Sequence, residues 1–295
     1  MRVIYDVFRD GLEAINTAAG QLAKAREQIS TGRRVNAASD DPLAMRQAVN
    51  EHATIGAVDA YSRSRDSAAA RLAIADNVLS TMTDKLTAAV VAGTSAQGST
   101  ATAASRAATA AHVRSLRESL VADFNTTFNG NYMFSGTAAN TQTYALVAGA
   151  WTYQGNSDTT DVEVERGRLV SVSLDGQAIA QGSDTKDVLT ALDDLATAIE
   201  AGDSSAMATE IDAIERAFGR TQRAIGALGA DSAGLDEARA RLSTLRVAAE
   251  TRRSLLEDAD MAEAVTRLSK ADTAYQAALA AVSTAERRSL LDYLR

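Results

Sequence analysis

The chain has 295 residues, 46% of them hydrophobic but only 4% aromatic, with one proline, no cysteine and a formal net charge of −8. The missing cysteines exclude disulfides, Cys-ligated zinc and thiol catalysis, and the dispersed Lys and Arg form no basic patch of the kind that phosphate backbones require, so no nucleic-acid partner is expected. No apolar run reaches the 18 or more residues of a membrane span, and residues 1–20 lack the apolar core of a secretory signal; the expectation is no membrane partner and, if the protein is extracellular, exit without a cleaved signal peptide.

Ala is abundant and Pro nearly absent, a mixture that favours long helices over sheets. In residues 1–30, Met1, Tyr5, Phe8, Leu12, Ile15, Ala19, Leu22 and Ile29 follow 4,3 spacing, with Arg26 as the polar interruption. So narrow a stripe is that of a coiled-coil seam, or of the core face of a single helix. Residues 30–42, STGRRVNAASDDP, break the pattern and hold Pro42, the lone proline. Gly32 permits the backbone to turn, Asp41 is a suitable N-cap, and Pro42 fits the first helical position, where a missing N–H costs nothing. The stretch therefore predicts a hinge that ends one helix and starts another. Arg33 and Arg34 are expected either to contact neighbouring subunits or to lie in a solvated loop.

A helical tract follows from Leu43 to about Val90, with a break at GTSAQGST, residues 93–100. Helical pattern resumes to about Phe128. Residues 129–186 then concentrate Gly, Asn, Thr and aromatics, including Trp151, the only tryptophan. Alternation at Thr160–Glu165 and Leu169–Leu174, with turn signals at Asn129-Gly130, Arg166-Gly167 and Asp175-Gly176, predicts a small β-rich insert domain. Helix returns at Asp187–Ala201 and Ser204 to about Ala227. LGADSAG reads as a loop, and a last helical stretch starts near Leu235. In the final 40 residues Met261, Val265, Leu268, Tyr275, Leu279 and Val282 repeat the 4,3 spacing, with Asp272 interrupting.

Two such stripes at opposite ends of the chain predict an antiparallel pair. Setting Ile15 against Val282 and Leu22 against Tyr275 brings Arg26 level with Asp272, and a polar pair within a seam fixes register. The fold class predicted is mainly α: a long antiparallel helical rod, a coiled-coil bundle, with a small β-rich insert. The expected organisation is a terminal layer of residues 1–41 and 257–295, a rod of residues 42–128 and 187–256, and the insert. Ordering thirty backbone positions costs more than one narrow seam returns, so the terminal layer is expected to be disordered in the monomer and to order on assembly.

No constellation calls for an enzyme. Glu51-His52 lacks the second His of a zinc-protease helix, and His52 and His112 read as polar residues on helix faces. Asp40-Asp41, Asp193-Asp194 and the EDAD of residues 257–260 read as helix-terminal or surface charge rather than acid–base pairs. The glycines form no phosphate loop. No metal and no cofactor is expected, and seam architecture points to assembly.

QISTGRRVNAASDDP near the start and LLEDADMAEAVTRLSKADTAYQAALAAVS near the end resemble the terminal regions of bacterial flagellins and their hook-associated relatives. SDDP with its proline, NGNYMFSGT at 129–137 and the ending SLLDYLR are similar to the hook–filament junction branch of that superfamily, the hook-associated protein 3 family, more than to filament flagellins. The resemblance covers about 45 residues at each end and the middle motif, the two blocks quoted. It implies terminal helices forming an inner layer, export by the flagellar type III system, and a place in the extracellular flagellum. The implied partners are a ring of like subunits, flagellin, another hook-associated junction protein and a flagellar export chaperone. A filament-forming flagellin is the alternative, and a cytosolic coiled-coil scaffold protein a more distant one.

Overall fold

The computed structural model describes the backbone of residues 2–98 and 102–293, and the side chains of residues 9–98 and 102–284. The protein is mainly α with a small β insert. The elements in chain order are α1 (Arg2–Thr31), α2 (Pro42–Ala96), α3 (Ala103–Phe124), β1 (Thr127–Phe128), β2 (Asn131–Tyr132), β3 (Tyr144–Val147), β4 (Ala150–Tyr153), β5 (Asp161–Glu165), β6 (Arg168–Ser171), α4 (Gly176–Ala180), α5 (Val188–Ala201), α6 (Ser204–Glu257) and α7 (Met261–Tyr293).

Local chemistry sets many of the helix boundaries. Thr102 accepts a hydrogen bond from the Ser105 N–H at the start of α3, and Asp187 accepts one from Thr190 at the start of α5. Asp203 and Asp260 do the same for the first turns of α6 and α7. Each cap satisfies a backbone donor that the helix leaves orphaned.

The chain divides into two compact units, one of Met1–Ala57 with Thr244–Arg295 and one of Val58–Ser243. In the second, the insert and the helices share a single core. Leu79 and Met82 of α2, Leu120 and Phe124 of α3, Leu195 and Ile199 of α5 and Ile214 of α6 are buried together with Phe134, Tyr144 and Val164 of the insert. Phe124 meets the Phe134 ring edge-on at 5.9 Å and the Tyr144 ring at 5.1 Å, and Tyr144 meets Tyr153 at 5.7 Å. These four rings gather a share of the chain's scarce aromatic area in one place.

The insert is three separate antiparallel hairpins, β1–β2, β3–β4 and β5–β6. NGNYMFSGT runs from the first hairpin turn into this core. Asn129 and Gly130 carry φ of 52° and 82° at the turn, while Met133, Phe134 and Ser135 are fully buried. Gly136 has φ +65°, and a Cβ there would collide with the Asn156 carbonyl. Only glycine satisfies both demands.

Two expected loops are helical instead. LGADSAG lies within the continuous α6, because Leu228, Leu235, Ala238 and Leu242 are buried at helical spacing and their packing outweighs the ~1 kcal/mol that each helical glycine costs. The Arg65 guanidinium adds a further tie there, donating to the Leu235 carbonyl and pairing with Asp236. Asp175-Gly176 makes no hairpin turn. Asp175 caps α4, accepting from the Gln177 and Ala178 N–H groups.

Candidate assembly site at the paired terminal helices

α1 and α7 pack against each other within the first unit. Ala18, Leu22, Ala25 and Gln28 are buried on α1, with Gly11, Ile15 and Ile29 half-buried; on α7, Ala264 and Ala271 are buried, with Leu268, Tyr275, Ala278 and Val282 half-buried. The seam therefore runs 11, 15, 18, 22, 25, 29 on one helix and 264, 268, 271, 275, 278, 282 on the other. Small residues alternate with large ones on both. A Cβ on Gly11 would lie 2.8 Å from Val282 Cγ2, so glycine is what lets the backbone of α1 come this close. Close approach gains dispersion contacts that a seam of larger residues would hold apart.

This seam shares Ile15, Leu22, Ile29, Leu268, Tyr275 and Val282 with the expected stripe and drops the other half of it. Leu12, Met261, Val265 and Leu279 are 43%, 47%, 54% and 42% exposed. Arg26 is exposed, and among the described residues no ion pair joins it to Asp272, which accepts a hydrogen bond from Gln276 on its own helix at 2.8 Å. Arg26 stays in water, Asp272 is half-buried, and the Ala and Gly rows offer closer packing than a seam carrying two ions. The side chains of Tyr5 and Phe8 lie outside the described residues. Leu12, Met261, Val265 and Leu279 are left as apolar side chains uncovered beside the seam.

The irregular stretch after α1 is a clasp. Gly32, φ +69°, turns the chain out of the helix, and its carbonyl accepts from the Ala259 N–H at 2.9 Å. The N–H groups of Arg34 and Val35 both donate to the Glu257 carbonyl, at 2.6 and 3.4 Å, and Val35 is buried. Arg34 donates from its guanidinium to the Leu256 carbonyl at 2.9 Å and to Asp41 Oδ2 at 3.3 Å. Gln28 closes the turn by donating to the Arg34 carbonyl. The loop after α1 and the one before α7 thereby hold each other. Arg34, expected to face either a neighbour or solvent, is engaged by its own chain.

Two carboxylates organise the entry to α2. Asp41 Oδ1 accepts from the Ala44 N–H at 3.0 Å and α2 begins at Pro42. That bond, with help from Arg34, holds the Asp41 carboxyl below its usual range. Asp40 accepts from Lys24 Nζ at 2.8 Å and from the N–H groups of Ala37 and Asn36; the lysine first, then the two amides, hold its pKa down to about 2. Lys24, Arg34 and Asp40 line a cleft of about 570 Å³ with Arg267 and Lys270.

One pair escaped sequence reasoning. His52 Nε2 lies 2.9 Å from Glu257 Oε1, and the Glu257 side chain is only 5% exposed. Neither residue carries a local signal for this, since the partners are 205 positions apart. The paired acids are engaged structurally: Asp193 with Arg117, Asp194 with Lys186 at 2.7 Å. Among the described residues no cluster of His, Cys, Asp and Glu fit for a metal occurs.

Comparison with known proteins follows the same map. The model for the bacterial flagellin N-terminal helical region matches residues 11–139, and that for the bacterial flagellin C-terminal helical region matches residues 211–294. Flagellar hook-associated protein 3 of Escherichia coli (strain K12) is 28% identical over 174 residues, 59% of this chain and 54% of the relative. The match thus spans about half the length of that relative. Flagellin FljO of Caulobacter vibrioides is 25% identical over 279 residues, 94% of this chain and 92% of the relative. A crystal structure of Xanthomonas campestris FlgL shares the fold with a TM-score of 0.62 at 17% identity, over 68% of this chain and 98% of that one.

Proposed function

The chain belongs to the bacterial flagellin family, and from that premise we propose that it is a structural adaptor joining hook to filament in the bacterial flagellum, assembled through its terminal helices. It is a structural protein, not an enzyme. The observation that carries the reading is the row of Leu12, Met261, Val265 and Leu279, uncovered beside a seam that is already complete. A helix pair that fills its own seam with small residues and leaves large apolar ones outside is built to be covered by further helices. The natural cover is the same pair on like subunits, which makes a ring, with flagellin on one side of it and another hook-associated junction protein on the other.

In this reading the terminal helices, residues 1–41 and 257–295, order as the ring forms. The chain leaves the cell through the flagellar type III system, its C-terminal region held beforehand by an export chaperone. No helix among the described residues is long and apolar enough to cross a membrane.

Deleting the gene tests the adaptor directly. The expected result is intact hooks without filaments, and flagellin lost to the medium. Unaltered filaments on the deletion strain would overturn it. A filament-forming flagellin is the second reading, favoured by the match to FljO along nearly the whole chain. It predicts this chain along the length of sheared filaments rather than at one end.

A further inference from the structure

The second unit contains an arginine that no group among the described residues neutralises. Arg71 on α2 lines a cavity of about 330 Å³ with Ser64, Ser67, Phe128, Asn131 and Val162. Its Nε is buried without a hydrogen-bond partner, and no ion pair to Arg71 forms among the described residues. Burial alone pulls its pKa down, with no acidic group close enough to oppose the shift. Two other inward-facing arginines of this unit find partners: Arg65 with Asp66, Asp236 and a carbonyl, Arg220 with Asp184 and two carbonyls. An unpaired, partly desolvated guanidinium is costly, so this site is incomplete without an anion.

We propose that the Arg71 cavity binds a single carboxylate group. One guanidinium balances one negative charge, and its fork matches two carboxylate oxygens. A phosphate dianion would bring a second charge with no cation to meet it. The hydroxyls of Ser64 and Ser67 and the Asn131 amide add donors at the rim, while Phe128 and Val162 provide an apolar wall for the stem that carries the carboxylate. The volume accommodates a free small carboxylate or an Asp or Glu side chain from a second copy. The second source would make the cavity a contact between subunits of the ring, and only that refinement rests on the assembly proposed above.

The experiment is an acetate titration of the full chain at constant ionic strength, with chloride as control, read on the Arg71 Nε–H resonance assigned by through-bond correlation in the wild-type protein. Saturable movement with acetate and none with chloride is expected, with at least about tenfold weaker binding in R71K, which keeps the charge and loses the fork. Equal response to acetate and chloride would overturn the proposal, and because this readout uses wild-type protein it holds even if R71Q folds poorly. Sedimentation of the same samples separates the sources. Self-association that acetate competes away and R71Q abolishes identifies a side chain of a second copy. Acetate binding with association unaffected by R71Q identifies a free carboxylate, and leaves the adaptor reading intact.

Discussion

Glu257, at the end of α6, receives the chain twice: its backbone carbonyl accepts from Arg34 N–H at 2.6 Å, and its buried carboxylate sits 2.9 Å from His52 Nε2 on α2. One residue thus ties the loop after α1 to two long helices. Glu257→Ala removes the side-chain bond and leaves His52 without its partner. A hydrogen bond to a charged group contributes about 1.5–3 kcal/mol, so a loss of that size in denaturant unfolding is expected, with faster proteolysis at Arg33 and Arg34. Wild-type cleavage rates in the variant would refute the clasp.

Gly11 and Val282 set the separation of α1 and α7. Gly11→Ala places a methyl 2.8 Å from a stiff β-branched side chain, a form of overpacking that costs about 1–3 kcal/mol. Val282→Ala in the same chain should recover most of it. A double-mutant cycle with no coupling between the two sites would reject this register.

Leu279 and Val265 are exposed, so Leu279→Asp and Val265→Asp should leave monomer stability within about 0.5 kcal/mol. Both should abolish assembly into flagella, scored by pelleting with sheared appendages. Normal incorporation of both variants would mean that the uncovered row has no partner. On the same assembled material, amide exchange across residues 9–29 should slow relative to dilute monomer; strong protection already in the monomer would exclude ordering on assembly.

Asp40 sets a pH response. Its folded pKa of about 2 lies below the ordinary 3.8. A carboxyl depressed by folding contributes stability that is fully present above 3.8 and is lost as pH falls through 2. The loop of residues 32–41 should therefore loosen between about pH 4 and pH 2, followed by exchange at the Asn36 and Ala37 amides. Lys24→Gln removes the largest cause and should move that loosening upward in pH. No displacement in Lys24→Gln would show that the two backbone N–H groups suffice.

Much of the fold was legible because its signals are short-ranged. The start of α2 at Pro42 follows from Asp41 as cap and from the φ that proline imposes, both of which act within one turn. Asn129-Gly130 makes a hairpin wherever the backbone needs two positive φ values in succession. The LGADSAG segment misled for the opposite reason. Gly disfavours a helix locally, and only the burial of Leu228 and Leu235 against the rest of the unit reverses that balance.

The sequence by itself determined that this is a helical protein with related stripes at its two ends and a β-hairpin insert, since composition, capping and periodicity are properties of neighbouring residues. The tertiary structure alone decided which of two interleaved stripes becomes the seam. Leu12 and Gly11 are one residue and about 100° of helix rotation apart, and the partner helix makes the choice. Gly11, Ala18 and Ala25 win because Ala264, Ala271 and Ala278 let two backbones approach. The same approach leaves Leu12, Val265 and Leu279 exposed beside the seam.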